Sequence, residues 1–272
     1  MGNICIIGPR ESGKTTYLAA LAYCFENSNK NIRVHPLTAD ASKIAEKAEN
    51  IIRRGGNLEP TRIDGLSIIN VQSLPYYSFK IEIKKGFKKP EEITLVLRDY
   101  PGEIFEELKA GVSNNLHEEF IEECLMKDIV GCLILIARWD REIDDVYSKV
   151  IKRFTELMDA RNRAENLRLA VGLSKCERGE IWPGRIDPEM DLFEGHLPKT
   201  TNTLRAKVPA RNLEFYAIST FGVLGQNNPR PNRADELSSP RSALRKPEKW
   251  QPYGMISPLY WLSTGKRMRA DV

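Results

Sequence analysis

Asn3-Ile-Cys-Ile-Ile-Gly-Pro-Arg-Glu-Ser-Gly-Lys-Thr-Thr16 is an apolar run, a turn bounded by glycines and the opening of a helix-forming stretch. Gly8, four residues, then Gly13-Lys14-Thr15 has the spacing of a phosphate-binding loop, in which each residue type has a separate mechanical duty. The two glycines let the chain curl through Pro9 so that the main-chain N–H groups of Arg10, Glu11 and Ser12 face inward, where a Cβ would block the approach of an anion. Lys14 would set its ammonium against the β- and γ-phosphates. The Thr15 hydroxyl would take one position around Mg²⁺, with Thr16 following in the same turn. The helix that opens at Lys14 adds the positive end of its dipole beneath the anion. A chance glycine turn is the bland reading, and the strand–loop–helix context argues against it.

Around this stretch the chain has the composition of an ordinary soluble globular protein, with 41% hydrophobic and 29% charged residues. At 272 residues it is long enough to bury a substantial core. The 41 basic and 37 acidic residues are too balanced to argue for nucleic acid or an anionic membrane surface. The five cysteines are scattered without a CxxC or Cys/His cluster, and Cys5, Cys24 and Cys132 lie in apolar stretches where cysteine behaves as a small hydrophobe. The apolar run 129–137 is too short to span a bilayer and no cationic-then-apolar leader precedes the first strand, so the expected location is the cytoplasm.

Residues 16–25 are apolar almost all round, as in a helix packed beneath a sheet. Ala41, Ile44, Ala45, Ala48, Ile51 and Ile52 recur at helical spacing, predicting an inserted helix over about 38–56 that ends at Gly55-Gly56. Tyr77–Ile83 alternates with period two, and Ile93–Asp99 follows after a short turn, so these strands should be antiparallel neighbours. Residues 104–115 read as a mobile loop or irregular helix. A helix over 116–125, a doubly covered strand over 130–137, a helix over 146–158 capped by Asp144, and strands at 167–173 and 213–218 complete the alternation. The Pro/Gly-rich stretches at about 178–212 and 220–248 read as surface insertions, and 255–262 as a C-terminal helix docked on the sheet. The expectation is one α/β domain over 1–272, three-layered, with a mostly parallel sheet containing one antiparallel strand and the ligand at the strand carboxyl ends.

Four further stretches fall where a nucleotide hydrolase would need them. Asp99-Tyr-Pro-Gly102 resembles the D-x-x-G motif, Thr61 in the loop after Pro60 resembles the switch threonine, and Ser174-Lys-Cys-Glu177 stands at the place of the base-reading N/T-K-x-D motif. Ser219 and Thr220, after the last strand, resemble the S-A-K base loop, with only the serine matching. Together with the cradle they make the chain resemble a translation-factor-related (Ras-like) P-loop GTPase over residues 3 to about 220. Its phosphate loop also resembles that of heterotrimeric G-protein alpha subunits. The terminal Pro258-Leu-Tyr-Trp-Leu262 and the long loop before it resemble the bacterial double-GTPase families.

The resemblance implies Mg²⁺ held by Thr15, Thr61 and Asp99, a γ-phosphate met by Lys14, Thr61 and the Gly102 amide, and GTP or GDP as ligand. It implies that Lys175 lies along the base and Glu177 accepts from the guanine edge. Serine for asparagine and the longer glutamate for aspartate are departures that would weaken guanine selectivity. Glu103 stands where Ras-like enzymes carry a water-orienting glutamine, which would add negative charge beside phosphate and slow intrinsic turnover. Arg10 stands where they prefer glycine. Three readings remain open: a GTP-hydrolysing switch regulated by a partner protein, a P-loop ATPase or phosphotransferase, and a nucleotide-dependent interaction module without useful hydrolysis. The sequence leaves the oligomeric state undetermined.

Overall fold

Alternation on the first strand sets the layers. In β1 (Asn3–Ile7), Ile4 and Ile6 point to one face of a sheet while Cys5 and Ile7 point to the other, and all four are buried. The computed structural model describes residues 2–27, 31–54, 74–84, 89–111, 115–225, 229–235 and 242–268. Thr61 lies outside the described residues.

Seven strands form the sheet in the order β2-β3-β4-β1-β5-β6-β7, with β2 at Ile32–Pro36, β3 at Tyr76–Ile83, β4 at Glu91–Arg98, β5 at Ile129–Ile136, β6 at Arg168–Leu173 and β7 at Leu213–Ala217. Only β3 runs against its neighbours, pairing antiparallel with both β2 and β4, while β4, β1, β5, β6 and β7 pair in parallel. The expected fold class is therefore the observed one. The short turn between β3 and β4 permits the antiparallel pairing, and every parallel connection carries a crossover.

Helices α1 (Lys14–Asn27), α2 (Ala39–Arg53) and α7 (Ser257–Thr264) cover the face that carries Ile4 and Ile6. The other face is covered by α3 (Gly102–Glu107), α4 (Asn115–Leu125), α5 (Arg141–Ala160) and α6 (Pro198–Lys207). Central β5 is buried on both faces, which explains its continuous apolar run. Helix α2 starts at the Thr38 cap, whose hydroxyl accepts from Ala41 N, and ends at Arg53 with Arg54 as its C-cap; Gly55 and Gly56, where the sequence pattern places its end, lie outside the described residues.

Several expectations need correction. The cap of α5 is Asp140, which accepts from Ile143 N at 3.0 Å. Asp144 is buried and faces away to cap α6 in trans, accepting from Lys199 N, Thr200 N and Thr200 Oγ1. Of the two readings of 104–115, the irregular helix is the one seen over 104–110, where α3 passes into a 3-10 turn at Leu108–Ala110 and Ile104, Phe105 and Leu108 are buried. The stretch 178–212, read as a surface insertion, packs inward: a π-helical turn (Pro188–Glu194) sets Phe193 against Phe215 of β7 with ring centroids 4.8 Å apart. In 220–248, read as a surface loop, two short ladders form (β8 Val223–Leu224 with β9 Arg230–Pro231, and β10 Arg233–Asp235 with β11 Ser242–Leu244). Buried Asn232 pins them, donating to Lys246 O and accepting from Lys246 N. Composition signals turns but not which turns carry an inward-facing residue.

Candidate functional site

The sheet delivers β1 straight into the loop 8–13. Gly8 has φ +154°, and a Cβ there would collide with the Leu135 carbonyl oxygen of β5, so the curl can lie down on the neighbouring strand only with glycine. Glu11 holds φ +59°, an uncommon conformation for a residue with a side chain. Lys14 Nζ folds back to donate to Gly8 O at 2.8 Å and Pro9 O at 3.0 Å, across the mouth of the loop. Burial brings its pKa down to about 8, with Asp99, Glu103 and Glu106 partly offsetting the shift. Ser12 is buried, and its Oγ has no hydrogen-bond partner among the described residues. Thr15 and Thr16 are half-buried in the first turn of α1.

Asp99 follows β4 directly and is buried, with its amide donating to Pro75 O at 2.9 Å. Gly102 abuts the phosphate loop: a Cβ there would strike the backbone of Arg10 and Pro9, so the Asp99–Gly102 turn and the loop 8–13 touch main chain to main chain. Glu103, one residue on, pairs with Arg10 at 3.2 Å, both side chains being about half exposed. Arg98 points to the opposite face from Asp99 and pairs with Glu123 at 2.7 Å.

Ser174, Lys175 and Glu177 follow β6. Ser174 Oγ donates to Ser12 O at 2.8 Å, tying this loop to the phosphate loop across 162 residues of sequence. Lys175 adopts φ +59°. Burial lowers its pKa, as do Arg233 and Arg178, while Glu11 and Glu177 oppose the shift. Glu177 is buried. Its Oε2 accepts from Ser219 Oγ at 2.8 Å, and its Oε1 has no partner among the described residues. Burial raises its pKa and the Ser219 hydrogen bond partly offsets that. Ser219 Oγ in turn accepts from Gly222 N at 2.8 Å, and Thr220 O accepts from Trp250 Nε1 at 2.8 Å. The structure thus brings together loop 8–13, Lys14, the Asp99–Glu103 turn, Ser174 to Glu177, and Ser219 with Thr220.

The profile of the Double-GTPase 1 family matches residues 5–174, which run from β1 through the phosphate loop to the serine that reaches back to it. The chain belongs to the Double-GTPase 1 family. Comparison with curated proteins finds no match for this Double-GTPase 1 chain. Among solved structures it is similar to Sup35 complexed with GDP (13% identity, TM-score 0.38, covering 80% of this chain and 37% of that one). A second is an ADP-ribosylation-factor-like GTP-binding protein, the small COPII coat GTPase SAR1 of Encephalitozoon cuniculi, in complex with GDP (11%, 0.35, 80% and 69%). A third is the signal recognition particle receptor SRb-GTP/SRX complex of Chaetomium thermophilum (9%, 0.34, 83% and 94%). The chain spans little more than a third of the Sup35 chain it matches.

Beyond the family match, this Double-GTPase 1 chain braces its Ser219 loop with residues that motif reading passes over. Ser219 and Tyr253 exchange both backbone hydrogen bonds at 2.9 Å, and Tyr17 of α1 donates its hydroxyl to Met255 O. Trp250 stacks on Tyr23 with centroids 5.4 Å apart. The Pro252-Tyr253-Gly254 turn is the one signal of this brace in the sequence. No described helix is long and apolar enough to cross a membrane.

Proposed function

We propose that this chain binds GTP with Mg²⁺ and hydrolyses its γ-phosphate slowly, acting in the cytoplasm as a switch whose turnover a partner protein regulates. The observation that carries the reading is the Ser174–Ser12 hydrogen bond, which supports a single ligand spanning the loop at 8–13 and the loop at 174–177. On this reading Lys14 exchanges two carbonyl acceptors for phosphate oxygens, which restores its charge. The unpartnered Oε1 of Glu177 suits a guanine N–H donor, because a buried lone carboxylate oxygen gains a full hydrogen bond from it.

The donor set fits magnesium. The Thr15 hydroxyl, the single carboxylate of Asp99 and phosphate oxygens are the hard oxygen donors that this ion takes. Bound there, Mg²⁺ would supply charge neutralisation for the γ-phosphate. Thr61 is proposed as a further ligand and Gly102 N–H as a γ-phosphate donor. Glu103 would accept from the attacking water only when it leaves Arg10, which makes slow turnover the expected state.

The Arg10–Glu103 pair also motivates the second reading, a module that binds GTP without useful hydrolysis. Calorimetry with GTP, GDP and ATP, each with and without Mg²⁺, tests the ligand; equal binding of ATP would defeat the base assignment. Single-turnover phosphate release against Lys14→Ala separates the hydrolase from the module.

A further inference from the structure

Three of the five cysteines, far apart in the chain, meet inside the fold. Cys5 of β1 and Cys132 of β5 are paired residues on neighbouring parallel strands, and their Sγ atoms lie 2.7 Å apart. Cys132 Sγ also approaches Cys124 O of α4 at 3.6 Å. Adjacent strands set paired Cα atoms about 5 Å apart, inside the span a disulfide tolerates.

A cavity of about 180 Å³ opens onto this cluster, lined by Cys5 and Cys124 together with Tyr76, Tyr100, Phe120 and the ion-paired Arg98. Cys132 is not among its lining residues and is 0% exposed, whereas Cys5 is 7% exposed. A small molecule in the cavity therefore meets Cys5 before it can meet Cys132. The hydrogen bonds at Cys5 act in the same direction as its access to the cavity. Burial pushes its thiol up, but hydrogen bonds from Cys124 and Cys132 more than offset this and hold it below the ordinary thiol range. The bond to Cys5 and burial raise Cys124, and burial raises Cys132. Thiolate fraction and access together select which thiol reacts.

We propose that Cys5 is an oxidative modification site for a small hydroperoxide entering this cavity, with Cys132 as its resolving thiol. In the first step Cys5 sulfur attacks the distal peroxide oxygen. An S–O bond forms and the O–O bond breaks, two electrons pass from sulfur to the peroxide, and the thiol proton leaves with the alcohol or water released. In the second, Cys132 sulfur attacks Cys5 sulfur, the S–O bond breaks, and the oxygen departs as water with the Cys132 proton, leaving a Cys5–Cys132 disulfide. The peroxide is the only oxidant needed. Nothing in this inference depends on nucleotide binding.

The test treats the full chain with hydrogen peroxide or cumene hydroperoxide and reads intact mass and a non-reducing peptide map. The expected result is loss of the mass of two hydrogens, restored by dithiothreitol, with Cys5 and Cys132 in one cross-linked peptide. In Cys132→Ser the oxidation should halt at a sulfenic acid on Cys5 that dimedone captures. Cys5→Ser should show neither dimedone adduct nor cross-link. A map that instead joins Cys124, or that places the first oxidation on Cys24 or Cys176, overturns the assignment. So does a wild-type mass that does not change. The wild-type map needs no substitution, so it decides the matter even where a variant folds poorly.

Discussion

The partly buried Lys14 ammonium gives the clearest consequence at the scale of one residue. Its folded pKa of about 8 lies below the ordinary lysine value. Between those two values the unfolded chain binds the extra proton, so stability rises with pH across that window. An anion seated in the loop would raise the pKa again. GTP binding just above pH 8 should therefore take up a proton, seen as a calorimetric enthalpy that depends on buffer ionisation and ceases to do so in Lys14→Ala. Glu177 has the opposite sign. Its folded pKa is raised by burial, so its contribution to stability grows as pH falls through that value toward the ordinary carboxylate range. On the proposed reading the same protonation would remove a guanine acceptor. Acidification should weaken GTP affinity relative to ATP while the free protein becomes no less stable through this group, and Glu177→Gln should flatten both responses. The Arg10–Glu103 pair, exposed on both sides, contributes less than about 1 kcal/mol to folding. Arg10→Ala should accordingly leave the urea midpoint nearly unchanged, yet weaken GTP more than GDP by leaving Glu103 negative beside the γ-phosphate.

Among elements, α6 depends on a carboxylate from α5. Asp144→Ala strands the Lys199 and Thr200 backbone N–H groups and leaves the Thr200 hydroxyl only the Asp144 main-chain carbonyl at 3.2 Å. Losing a cap and leaving buried donors unsatisfied should cost about 2–3 kcal/mol, measurable by urea denaturation, with Asp144→Asn intermediate. This cap also marks where sequence reading runs out. Period-two alternation reveals β3, apolar runs reveal β1 and β5, the short turn after β3 reveals β4, and helical spacing reveals α2, because those patterns are local. The loop 8–13 and the Asp99–Gly102 turn are equally legible, since their residue types stand at fixed short spacings, although the contacts that demand glycine come from Leu135 at Gly8 and from Pro9 and Arg10 at Gly102. Local logic assigns Asp144 to its own helix because N-capping is usually local, whereas here Asp140 holds that place and Asp144 reaches α6 instead. The prolines and glycines of 178–212 mark bends accurately, but the inward packing of Phe193 depends on β7, which arrives later in the chain. Thr61 lies outside the described residues, and its role rests on its place before β3.

For the molecule as a whole, the family match ends at Ser174, yet the part of the chain beyond it closes the fold. Leu259, Tyr260, Trp261 and Leu262 of α7 are buried on the same face as Ile4 and Ile6, and Arg168 Nη1 of β6 donates to Leu262 O at 2.7 Å. A chain ended at Gly225 would expose that face and release Ser219 from Tyr253. It should be aggregated or unfolded by circular dichroism, and no added GTP should rescue it. The domain is thus proposed to be one unit over 1–272. The Ser12–Ser174 bond has a consequence for fragments of the ligand. Because the protein itself joins the loops that would grip the two ends of a nucleotide, whichever fragment settles first bears the ordering of both, and the second arrives at a stiffened pocket. Pyrophosphate and guanosine should therefore bind with positive cooperativity, and Ser174→Ala should make them indifferent to one another.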